Sequence, residues 1–244
     1  MRLPLCVLLL SALMASGQNR QTPSNFYSRQ KEVALEAAVS QQALRNATPL
    51  DDPAALDFVQ RLGARLAGTL PEPRFTYTFS LIANDQDNVL HEPLSFPGGY
   101  ILVPASLFLA AQDEAEFAGM LAHAMAHIQA RHGTRVATSA VVFVGGTAGL
   151  GSRPNASAPL SIAGLARAFE GEADLTAVKM TSAAGYDPQA LARYFGRVWP
   201  DNPADPARDT RISEILGAIQ QVAPSNFTDE FPRIQATIRE RSRN

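Results

Sequence analysis

Two histidines, His123 and His127, have the spacing in this chain that most clearly suggests chemistry. Residues four apart on a helix project from nearly the same side, with Cβ atoms about 6 Å apart. Two imidazoles so placed can each put one nitrogen on a single tetrahedral zinc ion, at about 2.0–2.1 Å. Many such pairs are ordinary surface or core histidines, so the spacing alone predicts half of a metal site and calls for a third ligand.

An acidic cluster on a later predicted helix offers that ligand. Glu170 and Asp174 are four apart and share a face. Glu170 could complete a site of two histidines and one carboxylate. Asp174 could hydrogen-bond the outer nitrogen of a ligand histidine and fix its tautomer. Glu172 points elsewhere and is expected to contact solvent or another helix. Taken alone, such a triplet is more often a solvated face.

The two other histidines are assigned no ligand role. His132 lies five residues after His127, which rotates it off the shared face, and we expect it to be a cation at the end of a helix. His91 lies in a predicted loop and is expected to be solvated.

The helix that carries the histidine pair is predicted from its end signals. Asp113 and Glu116 form an Asp-x-x-Glu version of the capping box at its start. Arg131 and His132 add positive charge at its end, and Gly133 is expected to stop it. These signals predict one helix of about 19 residues, with both histidines near its C-terminal end.

The elements around this helix follow from periodicity and turn residues. Alternation over residues 75–81 predicts a half-buried strand, and the turn at 97–99 leads into a short apolar strand over 100–103. Pairing of these strands would form a small sheet. Further helices are predicted over residues 28–44, 53–68, 161–184, 188–198, 210–222 and 229–242.

The first 17 residues have the composition of a secretory signal. A basic start precedes an apolar run over residues 3–13, and Ala15-Ser16-Gly17 resembles a cleavage site. An N-terminal anchor that stays attached is the alternative. Cys6, the only cysteine, lies inside this run, so the mature chain would have no disulfide and no thiolate ligand.

Charge and hydropathy limit the partners. The formal net charge of −2 gives no reason to expect nucleic-acid binding. Residues 136–150 are apolar and glycine-rich, but about 15 residues are fewer than the ~20 needed to span a bilayer. A buried helix is favoured there, and a hairpin that makes peripheral membrane contact is the alternative.

Together these motifs resemble the zinc metallopeptidases of the CAAX-prenyl-protease and BepA type. Members carry His-Glu-x-x-His on one helix and Glu-x-x-x-Asp on another, and Ala124 stands here in place of the motif glutamate. The resemblance covers roughly residues 25–200. Its other segments are NFYS at 25–28, EVAL at 32–35, LDDP at 50–53, FPGGYI at 96–101, EAEFAGMLAH at 114–123 and AAGYDP at 183–188.

The resemblance implies an α+β fold, a mostly α zincin-like metallopeptidase domain with a small β-sheet beside the active-site helix. It also implies that His123, His127 and Glu170 bind one Zn²⁺ ion and that Asp174 supports a ligand histidine. The expected organisation is a signal peptide over residues 1–17, an N-terminal helical segment over 18–50, the metallopeptidase domain over 51–200 and a C-terminal helical extension over 201–244.

The same resemblance implies a place for substrate. The strand that begins after Gly99, with Tyr100 and Ile101, would lie along the cleft. Its free edge could hold an extended peptide by backbone hydrogen bonds. The expected partner is therefore a polypeptide substrate or client protein.

Ala124 changes what the site can do. In such enzymes the motif glutamate takes a proton from water and passes it to the leaving amine, a contribution of about 10²–10⁴-fold, or about 3–5 kcal/mol of barrier. Positions 117, 120, 121 and 128 flank residue 124 on the helix and carry no carboxylate, while Glu116 lies two turns away. Rescue by His91 or Glu92, from an apparent insertion, is an alternative.

Three explanations of Ala124 stay open: a natural degenerate family member, an engineered inactivation, or a different zinc-dependent role. The leading hypothesis is a zinc-dependent metalloendopeptidase-family protein of the periplasm or cell envelope, which would hydrolyse peptide bonds in misfolded or partner proteins if active and is impaired at Ala124. The alternatives are an inactive zinc-bearing peptide-binding or chaperone-like module, and a metal-free structural protein.

Overall fold

Helices make up most of the chain, and a small sheet accompanies them, which confirms the expected α+β class. A computed structural model describes residues 25–45, 47–83, 91–147, 162–198, 206–219 and 229–242. The predicted signal segment 1–17 lies outside the described residues, as do residues 84–88, where the sequence predicts a polar turn, and residues 152–159, where it predicts a loop. The helices are α1 (Arg29–Arg45), α2 (Pro53–Ala67), α3 (Ala105–Ala110), α4 (Glu114–Gln129), α5 (His132–Thr147), α6 (Ile162–Ala183), α7 (Ala190–Val198), α8 (Pro206–Ala218) and α9 (Glu230–Arg241). The strands are β1 (Thr78–Ile82), β2 (Leu94–Ser95) and β3 (Tyr100–Pro104).

Helix α4 runs through the centre of the core. Nearly all of its side chains are buried, as expected for a helix that is apolar on every side. Phe117 lies at the middle of an aromatic cluster, with ring centroids 5.8 Å from Phe58, 4.4 Å from Phe108 and 5.4 Å from Phe231. The cluster therefore joins α2, α3, α4 and α9 in one core.

The sheet has the order β1-β3-β2. β3 pairs with β1 in parallel and with β2 in antiparallel register, which places Leu94 opposite Leu102 and Ser95 opposite Ile101. The expectation of a free edge on the strand after Gly99 is therefore wrong. The backbone N–H of Phe96 donates to the Tyr100 carbonyl at 2.9 Å, so the chain before the turn folds back along β3.

The turn between β2 and β3 requires its two glycines. Gly98 and Gly99 have φ angles of +98° and +126°, a region that side chains rarely tolerate. A Cβ atom at Gly99 would lie 2.1 Å from the Thr76 carbonyl oxygen, and one at Gly98 would lie 2.7 Å from the Glu36 Cβ. The turn is thus packed between α1 and the segment that precedes β1.

The end of α4 differs from the prediction. The helix stops at Gln129, Arg131 takes a left-handed φ of 61°, and a new helix begins at His132, with Gly133 inside it. The bend is held by the buried Glu32, whose carboxylate accepts from the Arg131 Nε at 2.9 Å. A partner 99 positions away therefore decides where the helix ends.

The apolar segment 136–150 forms part of α5 as far as residue 147, and residues 148–150 lie outside the described part. Within the described residues, no helix is both long enough and apolar enough to cross a membrane.

Candidate metal centre

The three predicted ligands come together between α4 and α6. The Nε2 atoms of His123 and His127 lie 3.0 Å apart. The Glu170 carboxylate lies 3.5 Å from the first and 3.6 Å from the second, and the possible ligand atoms all lie within 4.8 Å of one another. Ligands about 2.0–2.1 Å from a tetrahedral ion are separated by roughly 3.4 Å. The spacing of these donors fits one such ion.

The packing of the two helices explains this geometry. Both helices bury alanines, Ala122 and Ala126 on α4 and Ala173 and Ala177 on α6. α4 and α6 pack directly against each other. The residues at 123 and 127, four apart on α4, can then face Glu170 on α6.

Asp174 lies against His123, one of the predicted ligands. Its Oδ1 lies 2.9 Å from the Nδ1 of His123, on the side of the ring away from Glu170. Arg211 of α8 donates to both Asp174 oxygens, at 2.6 and 2.8 Å, and lies 3.4 Å from Glu170. Burial raises the pKa of Asp174, but these donors outweigh it and lower the pKa below its usual value.

The sequence did not identify Arg211 as a residue of the site. No cap or ligand spacing marks it, and it reaches the site only because α8 packs against α6 and α7. Its guanidinium also lies 4.7 Å from the centroid of the Phe195 ring, a cation–π contact that fixes the side chain.

The electrostatics of the ligand trio favour positive charge. Burial lowers the pKa of His123, but hydrogen bonds and charges from Asp174 and Glu170 outweigh it and raise the pKa to about 9. Burial also raises the pKa of Glu170, but its contacts with His123 and His127 lower it far below the usual range. Glu170 and Asp174 therefore stabilise positive charge on His123.

His132 is not the helix-end cation that its position predicted. It is the first residue of α5 and 2% exposed, and its ring stacks on Phe169 at 4.3 Å with an interplanar angle of 9°. Burial, together with the charge of His127, lowers its pKa to about 4, so it is neutral at pH 7. The sequence argument missed this because it treated residues 114–132 as one helix.

Glu172 makes the interhelix contact that was predicted for it. Its carboxylate lies 3.2 Å from the Nε2 of His132 and 3.4 Å from Arg135, both on α5.

A cleft of about 270 Å³ opens beside His127 and Glu170. Its other walls come from the segment 95–97, from the start of α5 and from Glu32. The predicted substrate residues Gly99, Tyr100 and Ile101 are not among the residues that line it. β2 and the turn that follows it occupy the place expected of β3.

Ala124 is buried, at 2% exposure, between the two ligand histidines on α4. Among the described residues that line the cleft, the carboxylates are Glu32 and Glu170. Glu32 accepts from Arg131 and from the Thr134 hydroxyl. Both of its oxygens therefore accept from other side chains.

The residues considered as substitutes are not among those that line the cleft, but the charge of Glu92 acts on Arg211, which contacts Asp174 and Glu170. Glu116 is buried and paired with Arg197. Glu92 and His91 are exposed, and the His91 carbonyl accepts from the Tyr194 hydroxyl at 2.5 Å.

Comparison with known proteins identifies a family. The family model described as peptidase family M48 matches residues 56–233. The chain is similar to the beta-barrel assembly-enhancing protease of Yersinia pestis, with 26% identity over 223 residues, 80% of this chain and 45% of that protein. It is also similar to the beta-barrel assembly-enhancing protease of Escherichia coli (strain K12), with 26% identity over 213 residues, 74% of this chain and 42% of that protein. The chain thus spans less than half the length of these relatives.

Proposed function

The chain belongs to peptidase family M48, and from this premise we propose that it is a zinc-dependent metalloendopeptidase-family protein of the cell envelope that acts on polypeptides. The observation that carries the proposal is the convergence of His123, His127 and Glu170 beside a cleft. Two imidazole nitrogens and one carboxylate oxygen are the donor set of a zinc site that keeps one position open.

Each ligand has a defined part in this proposal. His123 and His127 present Nε2 to the ion, and Glu170 presents a carboxylate oxygen. Asp174 keeps the proton on the Nδ1 of His123, which leaves the Nε2 lone pair free to bind. Zinc in such a site lowers the pKa of water and polarises a peptide carbonyl.

Position 124 carries no group that could transfer a proton. Ala124 can neither take a proton from water nor deliver it to the leaving amine. Glu32, the other carboxylate of the cleft, is 1% exposed and tied to Arg131. We expect peptide hydrolysis to be slower by about 10²–10⁴-fold than with a glutamate at position 124.

Substrate would bind along the side of the cleft formed by β2. Leu94 and Ser95 form the edge strand of the described sheet, and Ser95, Phe96 and Pro97 line the cleft beside His127. An extended peptide could add to this edge by backbone hydrogen bonds. This arrangement replaces the role first expected for residues 99–101.

A second candidate function follows from Ala124. The ligand set, its supports and the cleft are all present although the general base is absent. A zinc-bearing module that binds peptides or acts like a chaperone would need only these parts. Both candidate functions therefore require zinc, and they differ in whether the protein hydrolyses peptide bonds.

The cellular place and the wider organisation are also proposals. A secretory signal over residues 1–17 supports a periplasmic location, and the relatives are named for beta-barrel assembly. The metallopeptidase domain is proposed to cover 51–200, with a helical segment over 18–50 before it and an extension over 201–244 after it.

Metal analysis of the purified protein tests the proposal. We expect about one zinc per chain and its loss in His123→Ala and Glu170→Ala. Glu214→Ala, which removes an exposed carboxylate from α8, is the matched control and should keep the zinc. A parent protein without stoichiometric zinc would contradict both candidate functions.

A further inference from the structure

The ring of His127 is contacted at both of its nitrogens. Its Nε2 faces the Nε2 of His123 at 3.0 Å and Glu170 at 3.6 Å. Its Nδ1 lies 3.1 Å from the Nδ1 of His132, and the two rings stand nearly perpendicular, at 80°. One nitrogen of His127 therefore belongs to the candidate metal centre and the other to His132.

Two imidazole nitrogens at hydrogen-bond distance share one proton, because one must donate and the other accept. A metal at the Nε2 of His127 leaves the proton on its Nδ1. The Nδ1 of His132 is then the acceptor, and the N–H of His132 is at Nε2. That nitrogen lies 3.2 Å from the Glu172 carboxylate, a close contact without hydrogen-bond geometry. With a metal on the Nε2 of His127, the contact between the two Nδ1 atoms therefore assigns one tautomer to each ring.

His132 is held firmly enough to fix its neighbour. Its ring lies flat on Phe169, and the guanidinium of Arg135 lies 4.2 Å from the centroid of the Phe169 ring. Arg135 also contacts Glu172 at 3.4 Å. The left-handed Arg131 turns the chain so that His132 starts α5 beside the last turn of α4.

We propose that His132 is a positioning residue for the ligand His127: it accepts the Nδ1 proton of His127 and aims the Nε2 of that ring at the metal, with Glu172 behind it. This inference rests on the proposed zinc site. It gives each ligand histidine its own partner, Asp174 for His123 and His132 for His127. Outer partners of this kind are typically worth 10–100-fold in metal affinity.

Two substitutions separate the hydrogen bond from the packing. His132→Phe keeps an aromatic ring against Phe169 but removes the acceptor. His132→Asn loses the ring, but its amide oxygen can take the place of the Nδ1 atom. Zinc dissociation constants from competition with a chelator should rise about 10–100-fold for the phenylalanine variant and recover most of that loss for the asparagine variant.

Ser139→Ala is the matched control, since Ser139 lies on α5 and its hydroxyl bonds only to the α5 backbone among the contacts described for it. Its zinc affinity should equal that of the parent. Long-range ¹H–¹⁵N spectra of the zinc-loaded parent give a second readout, and His127 should carry its proton on Nδ1.

The possible results separate a failure of the proposed zinc site from a failure of the role proposed for His132. A parent that binds no zinc would overturn the proposed function and this inference together. A parent that binds zinc, with unchanged affinity in the phenylalanine variant, would overturn the inference alone. Should that variant not fold, the spectra decide: a His127 ring without a proton on Nδ1 would be incompatible with an accepting His132.

Discussion

Restoring a carboxylate at position 124 is the sharpest test of how this site works. Ala124 lies three residues before His127 on α4, so a side chain at 124 is a neighbour of the His127 ring on the helix surface. Ala124→Glu should raise the rate of peptide hydrolysis by the zinc-loaded protein by about 10²–10⁴-fold. At 1.36 kcal/mol per tenfold, this is about 3–5 kcal/mol of activation free energy.

The substitution also has a structural cost. Ala124 is almost fully buried, and extra atoms in a packed interior typically cost about 1–3 kcal/mol. Desolvation of the new carboxylate would raise its pKa, whereas a nearby zinc ion would favour the charged form. We therefore expect a lower unfolding midpoint together with a higher rate, and an unchanged zinc content.

Ala124→Gln is the matched control, because glutamine has nearly the same size but cannot accept the proton. The assay compares cleavage of an unfolded protein by the parent and both variants, each loaded with one zinc. Equal rates in the glutamate and glutamine variants would refute the assigned role of position 124. A parent already as fast as the glutamate variant would refute it too.

Four further predictions concern residues around the site and in α8, and urea unfolding can measure each of them. Glu32→Ala should lower the free energy of unfolding by at least about 3 kcal/mol, because it leaves the partly buried Arg131 without its carboxylate. Phe117→Ala should cost about 3–5 kcal/mol, since it empties the middle of the aromatic cluster. Gly99→Ala should cost more than about 1 kcal/mol because of its positive φ, whereas Gly217→Ala, with open space around its Cβ, should stabilise α8 by up to about 1 kcal/mol.

Local signals in the sequence predicted the parts of the site that depend on one helix. Asp113 caps α4 by accepting from the Glu116 backbone N–H at 2.8 Å, as the capping-box pattern predicted. The Glu116 carboxylate bonds the backbone N–H of Gln112, one residue earlier than the pattern implies. The four-residue spacings placed His123 with His127 on one side of their helix.

The parts that were missed depend on partners far away in the chain. α4 ends where Arg131 takes a left-handed φ, and the Arg131 side chain contacts Glu32, a partner that no signal within the helix shows. His132 became buried as a result of that bend. β2 is two residues long and has no detectable alternation of its own, so only its pairing with β3 reveals it.

The charges around the predicted ligands indicate why metal binding can be retained although position 124 carries no general base. Asp174 and Glu170 contribute two negative charges, which Arg211 and a protonated His123 balance, because the two carboxylates raise the pKa of His123 to about 9. A divalent cation bound at the Nε2 atoms would take the place of the proton charge on His123. The supports of the ligands, Asp174 and His132, do not use position 124 in any described hydrogen bond. Loss of a glutamate there removes proton transfer but leaves the arrangement that favours a cation, so metal binding and catalysis can be separated by a single side chain.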